Sequence, residues 1–164
     1  MMKIKVKLSE IIEAIEFDSE MSSSYLNLNN GEVVTIMEES FRAAEDEEPL
    51  EKFPQWQHED IEMAKKLLNE RDSFLPLPSK YDFHEYHVIE EFCFSIEDRL
   101  ISNSLLSAIK GRGAFRRFKD KILQLGIEKK WYRFREEKLK QFAIDWCSMN
   151  DIDYLDDSHK GDGV

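Results

Sequence analysis

The sequence predicts an α+β fold, a mostly helical single domain with one small antiparallel β-hairpin sheet near the N-terminus. Three observations support this prediction. Apolar residues recur at helical spacing along most of the chain. Asn30-Gly31 lies between two β-prone runs, which is a hairpin signal. The length of 164 residues favours one domain. We expect the domain to span residues 1–155 and residues 156–164 to form a disordered acidic tail.

The first predicted elements are a helix and the hairpin. Apolar residues spaced i, i+3, i+4 and i+7 from Leu8 predict a short amphipathic helix over 9–17. A three-residue loop over 29–31, with Gly31 left-handed, is expected to join the strands. This register places four apolar side chains on one face of the hairpin: Leu26, Leu28, Val34 and Ile36. Tyr25, Asn27, Val33 and Thr35 then fall on the other face.

Helices are predicted over most of the remaining chain. Residues 37–44 read as helical and are followed by an acidic loop over 45–49. Residues 73–79 are expected to be a connector, because Pro76 and Pro78 oppose helix formation. Asp82, with Glu85 three residues on, resembles a capping box that starts the next helix.

The last three predicted helices are marked by glycines and aromatic residues. One helix is expected to end at Gly111, a residue type that favours the left-handed C-terminal position. The next carries Phe115 and Phe118 on its apolar stripe and closes at Gly126. The final helix covers roughly 128–149.

Composition excludes several classes of protein. The apolar runs are too short to span a membrane, and the N-terminal residues lack the apolar core of a signal peptide. Cys93 and Cys147 are far apart and form no metal-type pair, so we expect reduced thiols and a cytoplasmic location.

Charge is strongly segregated along the chain. The net charge is −11, yet residues 110–140 contain twelve Lys or Arg and four Asp or Glu, a local charge of +8. Residues 38–62 contain ten acidic and two basic residues. Such a dipolar surface can steer a charged partner, or its two regions can pair with each other within one molecule or in a homodimer.

The stretch KGRGAFRRFKD, residues 110–120, is the strongest candidate site. Two glycines around a basic residue leave the backbone exposed at a helix start, where free N–H groups favour an anion. The candidate anion-binding residues here are Gly111, Arg112, Gly113, Arg116, Arg117 and Lys119. The alternative is a C-cap glycine, a helix-start glycine and an ordinary solvated basic face. No phosphate-loop motif is present to decide between them.

The segment WYRFREEKLKQF adds three candidates. Tyr132 and Arg133 are the exposed residues that could stack on a base or contact a phosphate. Arg135 lies on the stripe of Trp131, so it must be paired or reach a cleft. We expect Asp120 or Glu136 to be its partner, and the alternative is a purely structural ion pair among core aromatic residues.

No metal, cofactor or catalytic residue is predicted. His84, His87 and Glu91 fall at i, i+3 and i+7, but the spacing of zinc proteases is absent and the Glu-x-x-His pattern of di-iron helices is not repeated. No motif activates a serine or cysteine nucleophile.

Several segments together resemble one of the bacterial uncharacterised protein families of the UPF series. They are SSSYLNLNNGEVV, LPLPSKYDFHEY, GRGAFRRFKD and GIEKKWYRFR, and the resemblance runs from about Leu8 to Tyr154. It implies a small cytosolic bacterial protein with a single domain, and it implies no activity, cofactor or catalytic residue.

Three hypotheses of function follow, in this order. The first is a non-catalytic binding module that uses the basic helix start for a phosphate-bearing ligand such as nucleic acid, or for an acidic protein surface. The second is an acidic interaction or regulatory protein that self-associates or mimics nucleic acid through residues 38–62. The third is an enzyme acting on an anionic substrate.

Overall fold

The computed structural model describes residues 5–158, and its secondary structure is mostly helical. In chain order the elements are β1 (Lys5–Lys7), α1 (Leu8–Glu16), β2 (Ser22–Asn27), β3 (Val33–Met37), α2 (Glu38–Glu45), α3 (Gln55–Asn69), β4 (Phe74–Pro76), α4 (Glu85–Ser95), α5 (Arg99–Ala108), α6 (Ala114–Gln124), α7 (Glu128–Met149) and β5 (Asp153–Leu155). The predicted α+β class with a small antiparallel sheet is confirmed. No helix within the described residues is long and apolar enough to cross a membrane.

The described chain divides into two compact units. The first contains residues 5–80 and 143–158, and the second contains residues 81–142. The predicted domain over 1–155 and the tail over 156–164 remain predictions, and residues 159–164 of that tail lie outside the described residues.

A three-stranded antiparallel sheet, ordered β3-β2-β4, organises the first unit. Tyr25 pairs with Val34 in the register of β2 and β3, so both point to the face that also carries Ile36. That face packs on α2 and α3, because hairpin strands need a covering layer to be stable. The shared core comprises Ile36, Phe41, Ala44, Ala64, Leu67 and Phe74.

The hairpin is confirmed, but its predicted register is wrong by one residue. The ladder ends at Asn27, whose N–H donates to the Glu32 carbonyl at 2.8 Å, so the loop has four residues, 28–31. The Asn27 Oδ1 atom accepts the N–H of Asn29, and this local bond turns the chain one residue early. Leu28 therefore leaves the sheet and is 40% exposed, while Gly31 has the predicted left-handed φ of 76°.

The predicted connector over 73–79 contains a strand that the sequence analysis missed. β4 pairs antiparallel with β2, with Pro76 opposite Tyr25. Proline is tolerated because β4 is an edge strand, where a missing N–H breaks no further ladder. The prolines do exclude a helix here, as expected.

The first unit also joins two distant parts of the chain. β1 pairs in parallel with β5, with Lys5 opposite Asp153. Just after β5, the Asp157 carboxylate accepts the backbone N–H of Ser9 at 2.9 Å and its hydroxyl at 2.7 Å. The start of α1 is thus capped by a side chain from 148 residues away.

Aromatic edge-to-face contacts hold the second unit together. Phe92 of α4 contacts Phe118 of α6 and Trp131 of α7, and Phe118 also contacts Trp131 with ring centroids 5.0 Å apart. Phe118 is buried, as predicted, but Phe115 is 49% exposed and does not join this core. The reason is the buried stripe of α6, which runs through Ala114, Phe118 and Ile122.

The start of α4 differs from its prediction. The helix begins after His84, which has a left-handed φ of 54° and makes no side-chain cap hydrogen bond. The expected capping box of Asp82 and Glu85 therefore does not start this helix, and the Glu85 carboxylate is used elsewhere in the unit.

Candidate anion-binding loop

The candidate site is the loop between α5 and α6, together with the first turn of α6. The backbone alternates here, since Gly111 and Gly113 have φ of 76° and 75° while the intervening Arg112 has a negative φ. Glycine adopts this left-handed conformation without the steric cost of a Cβ. Gly113 is the N-cap residue of α6, as expected of a helix-start glycine. The predicted end of the preceding helix at Gly111 is wrong by three residues, because α5 ends at Ala108 and its last carbonyl groups are bound by side chains.

Four carbonyl groups at the end of α5 and in the loop accept hydrogen bonds from side chains. The Arg117 Nε atom donates to the Ala108 carbonyl at 2.8 Å, and the same guanidinium donates to the carbonyls of Lys110 and Arg112. The Tyr86 hydroxyl donates to the Ile109 carbonyl at 2.8 Å. Arg117 therefore closes the open C-terminal end of α5, a role for which its planar fork of donors is suited.

The N–H groups of the same loop are left available. From Gly111 to Arg116, no backbone N–H donates a hydrogen bond to any of residues 5–158. The first bonded N–H is that of Arg117, which donates to the Gly113 carbonyl. Free N–H groups at a helix start carry a partial positive charge, and alternating left- and right-handed backbone gathers such donors around an anion.

Exposed basic side chains surround these donors. Lys110, Arg112, Arg116 and Lys119 are exposed, and none of them forms an ion pair within residues 5–158. Arg117 is also at the surface, but one N–H on each of its three nitrogens donates to a carbonyl at the end of α5 or in the loop. The structure thus separates the predicted set into residues available to a ligand and one residue that shapes the loop.

Two of the predicted site residues, Tyr132 and Arg133, lie on α7, and their side chains form no hydrogen bond, ion pair or ring contact with the loop. Tyr132 is 47% exposed and Arg133 is exposed, and neither side chain makes a hydrogen bond, ion pair or ring contact in the described part of the chain. They remain surface candidates on the same unit.

Arg135 forms an ion pair with Glu85, and neither Asp120 nor Glu136, the expected partners, is involved. Its Nη2 and Nε atoms lie 2.9 Å and 3.1 Å from the Glu85 Oε1 atom. The guanidinium also lies over the Phe83 ring, 5.7 Å from its centroid. Glu85 is 50 residues away in sequence, so no local pattern identifies it. Arg135 is consequently engaged in the interior of the unit.

Charge segregates between the two units. The described residues of the first unit contain 23 acidic and 8 basic residues, a net charge of −15. Residues 81–142 contain 10 acidic and 13 basic residues, a net charge of +3. The loop therefore belongs to the one unit of net positive charge.

The other candidate groups carry no reactive arrangement in the described residues. Burial raises the pKa of both the Cys93 and Cys147 thiols to about 11, so they are protonated at neutral pH. His87 lies 3.4 Å from Glu90, and Glu91 pairs with Lys138 at 2.6 Å. Across residues 5–158, no group of three or more His, Cys, Asp or Glu could hold a metal ion.

Sequence reasoning missed Tyr86 and the exposure of Phe115 at this site. Tyr86 falls on the apolar stripe of α4, where it reads as a core residue. A tyrosine in such a position usually finds a hydrogen-bond partner for its hydroxyl, and this was the available signal.

The fold and this loop define a small α+β protein with an exposed basic surface. The chain belongs to the Uncharacterised protein family (UPF0158), whose family model matches residues 1–159. It is 24% identical over 140 residues to the UPF0158 protein PA5073 of Pseudomonas aeruginosa, which covers 85% of this chain and 80% of the relative. The resemblance to an uncharacterised family is thus confirmed. No solved structure matches the chain significantly.

Proposed function

We propose that this protein is a non-catalytic binding module whose basic loop binds a phosphate-bearing ligand. The observation that carries the proposal is the run of free backbone N–H groups from Gly111 to Arg116, framed by unpaired basic side chains. Four nearby carbonyls, which would repel an anion, accept hydrogen bonds from Arg117 and Tyr86. The loop therefore presents free N–H groups to a ligand, while the carbonyl groups bound by Arg117 and Tyr86 are not available as acceptors.

Arg112 and Arg116 are the side chains expected to contact the phosphate, with Lys119 one turn further along α6. Guanidinium forks match phosphate geometry, and a helix start adds a favourable dipole. Tyr132 and Arg133 extend the positive surface on α7. Arg117 does not contact the ligand in this proposal, because it holds the loop. The Cys93 and Cys147 thiols, both free and buried, support a cytoplasmic location.

Charge reversal at Arg116 tests the proposal. Binding of a fluorescently labelled oligonucleotide is measured by anisotropy at about 50 and about 200 mM salt. We expect measurable binding at low salt that weakens steeply as salt rises, and Arg116→Glu should weaken it at least about tenfold. No binding at low salt, or unchanged binding by Arg116→Glu, would contradict the proposal.

Arg99→Glu is the matched control for this experiment. Arg99 is exposed, forms no ion pair in the described chain, and lies in the same unit at the opposite end of α5, about 15 Å along the helix from the loop. Arg99→Glu changes the net charge of the protein by the same amount as Arg116→Glu. Equal losses for both variants would mean that the oligonucleotide senses overall charge and no particular site.

A second candidate function is an acidic interaction protein. It is favoured by the net charge of −15 on the described residues of the first unit, to which the segment Glu38–Glu62 contributes ten acidic residues. Such a surface would bind a basic partner or a second copy of the chain. Sedimentation at low salt distinguishes the homodimer version, which requires a mass that rises with protein concentration.

A further inference from the structure

Two aromatic rings lie at the surface beside the basic loop. Tyr86 is 39% exposed and Phe115 is 49% exposed. Their ring centroids are 6.2 Å apart, with an angle of 70° between the planes. Phe115 is in the first turn of α6, directly before Arg116, so the ring pair adjoins the free N–H groups in the chain itself.

Both rings are held in place. The Tyr86 hydroxyl is bonded to the Ile109 carbonyl, so its ring cannot turn away from the loop without losing that bond. Phe115 lies in the first turn of α6, which is fixed by the burial of Ala114 and Phe118, and its ring packs edge-on against the Tyr86 ring. The pair is therefore a fixed apolar surface, which lowers the conformational entropy that a ligand must remove on binding.

This position of Phe115 is not required by the core. The buried stripe of α6 runs through Ala114, Phe118 and Ile122 and does not include it. An exposed aromatic ring does have a use beside phosphate donors. Proteins that bind single-stranded nucleic acid combine a positively charged surface with aromatic rings on which bases stack.

We infer that the ligand of the basic loop is a single-stranded nucleic acid, with a base stacked on the Tyr86–Phe115 ring pair and adjacent phosphates on the loop N–H groups. This inference rests on the proposed function and names its ligand class. In a duplex the base faces are covered by neighbouring bases, so the rings would have nothing to contact. An acidic peptide would use the charges and leave the rings without a partner.

The test compares three labelled probes of about 12 nucleotides: a single strand, the corresponding duplex, and an abasic single strand with the same backbone charge. We expect the single strand to bind most tightly. Phe115→Ala should weaken its binding about 5- to 150-fold, the loss typical of one stacked base. The same variant should leave binding of the abasic strand unchanged.

Two control variants separate stacking from other causes. Phe94→Ala removes a 71% exposed phenylalanine from the same unit and should change none of the three affinities. Phe115→Trp keeps an aromatic surface and should retain binding of the single strand. Circular dichroism melts of each variant check that the fold is intact.

The outcomes distinguish this inference from the proposed function beneath it. If Arg116→Glu weakens binding but Phe115→Ala does not, or if the duplex binds as tightly as the single strand, the stacking inference is wrong and the phosphate site stands. If Phe115→Ala weakens the abasic strand equally, the ring supports the loop and does not stack. If neither strand binds at low salt, both proposals fail.

Discussion

Arg117 donates its Nε hydrogen to the carbonyl oxygen of Ala108 at 2.8 Å, so a side chain of α6 closes the end of α5. The same guanidinium reaches two further carbonyls in the loop. One arginine thus satisfies acceptors that a helix end would otherwise leave to water. The conformation of the loop therefore depends on Arg117 as well as on its two glycines.

Replacing Arg117 should weaken the fold, whereas replacing its neighbour should not. We expect Arg117→Met to lower the free energy of unfolding by about 1 kcal/mol, because three carbonyls lose their donors at a partly hydrated site. Arg116→Met makes the same chemical change at an unpaired side chain and should stay within about 0.5 kcal/mol of the parent. Urea unfolding measures both, and equal stability of the two variants would remove the structural role of Arg117.

The pair of Arg135 and Glu85 should contribute more to stability than a neighbouring exposed pair. Their side chains are 17% and 27% exposed, so Arg135→Met leaves a poorly hydrated carboxylate and should cost about 1–2 kcal/mol. Combining it with Glu85→Gln should recover part of this loss in a double-mutant cycle.

Lys138→Met serves as the comparison for this cycle. Lys138 pairs with Glu91, but the two side chains are 40% and 47% exposed, so the change should be below about 0.5 kcal/mol. A strictly additive double mutant of Arg135 and Glu85 would show that the two residues do not interact in solution.

Asp157 should make unfolding depend on acidic pH. Burial acts to raise the pKa of this carboxyl, but the hydrogen bonds from the Ser9 N–H and hydroxyl outweigh it and lower the pKa. A lowered folded-state pKa means that the stabilisation is complete above the unfolded value of about 3.9 and is lost as pH falls through the folded value.

We therefore expect Asp157→Asn to reduce stability at pH 7 by about 1 kcal/mol and to flatten its fall below about pH 4. Asp72→Asn removes the same charge from an exposed site in the same unit and is the control. Denaturant unfolding between about pH 2 and pH 7 gives both curves. Parallel curves for the parent and Asp157→Asn would refute the cap.

The features that could be predicted from the sequence are those that depend on residues close together in the chain. Apolar periodicity located the helices, and the start of α6 at Gly113 followed from the residue type that tolerates a left-handed backbone. The hairpin was found from Asn30-Gly31, yet its register depended on a bond from the Asn27 side chain that competes with the ladder. Such a one-residue difference exchanges the two faces of the strand.

Features that depend on contacts between residues far apart in sequence could not be predicted from the sequence. Glu85 was identified only by its distance from Arg135 in space, and β4 only by its pairing with β2. In the site itself, the basic residues were recognised from their spacing. The use of Arg117 as a cap required knowledge of which way its side chain turns.

The pairing of β1 with β5 has a consequence for the order in which the protein folds during synthesis. Residues 81–142 are continuous in sequence and can complete their contacts while the ribosome is still adding the residues that follow. The first unit must wait, because β1 has no partner and α1 no carboxylate cap until Asp153–Leu155 and Asp157 have been made. Translation that stops before residue 153 would therefore release a chain whose acidic unit is unfinished, a ready substrate for proteases.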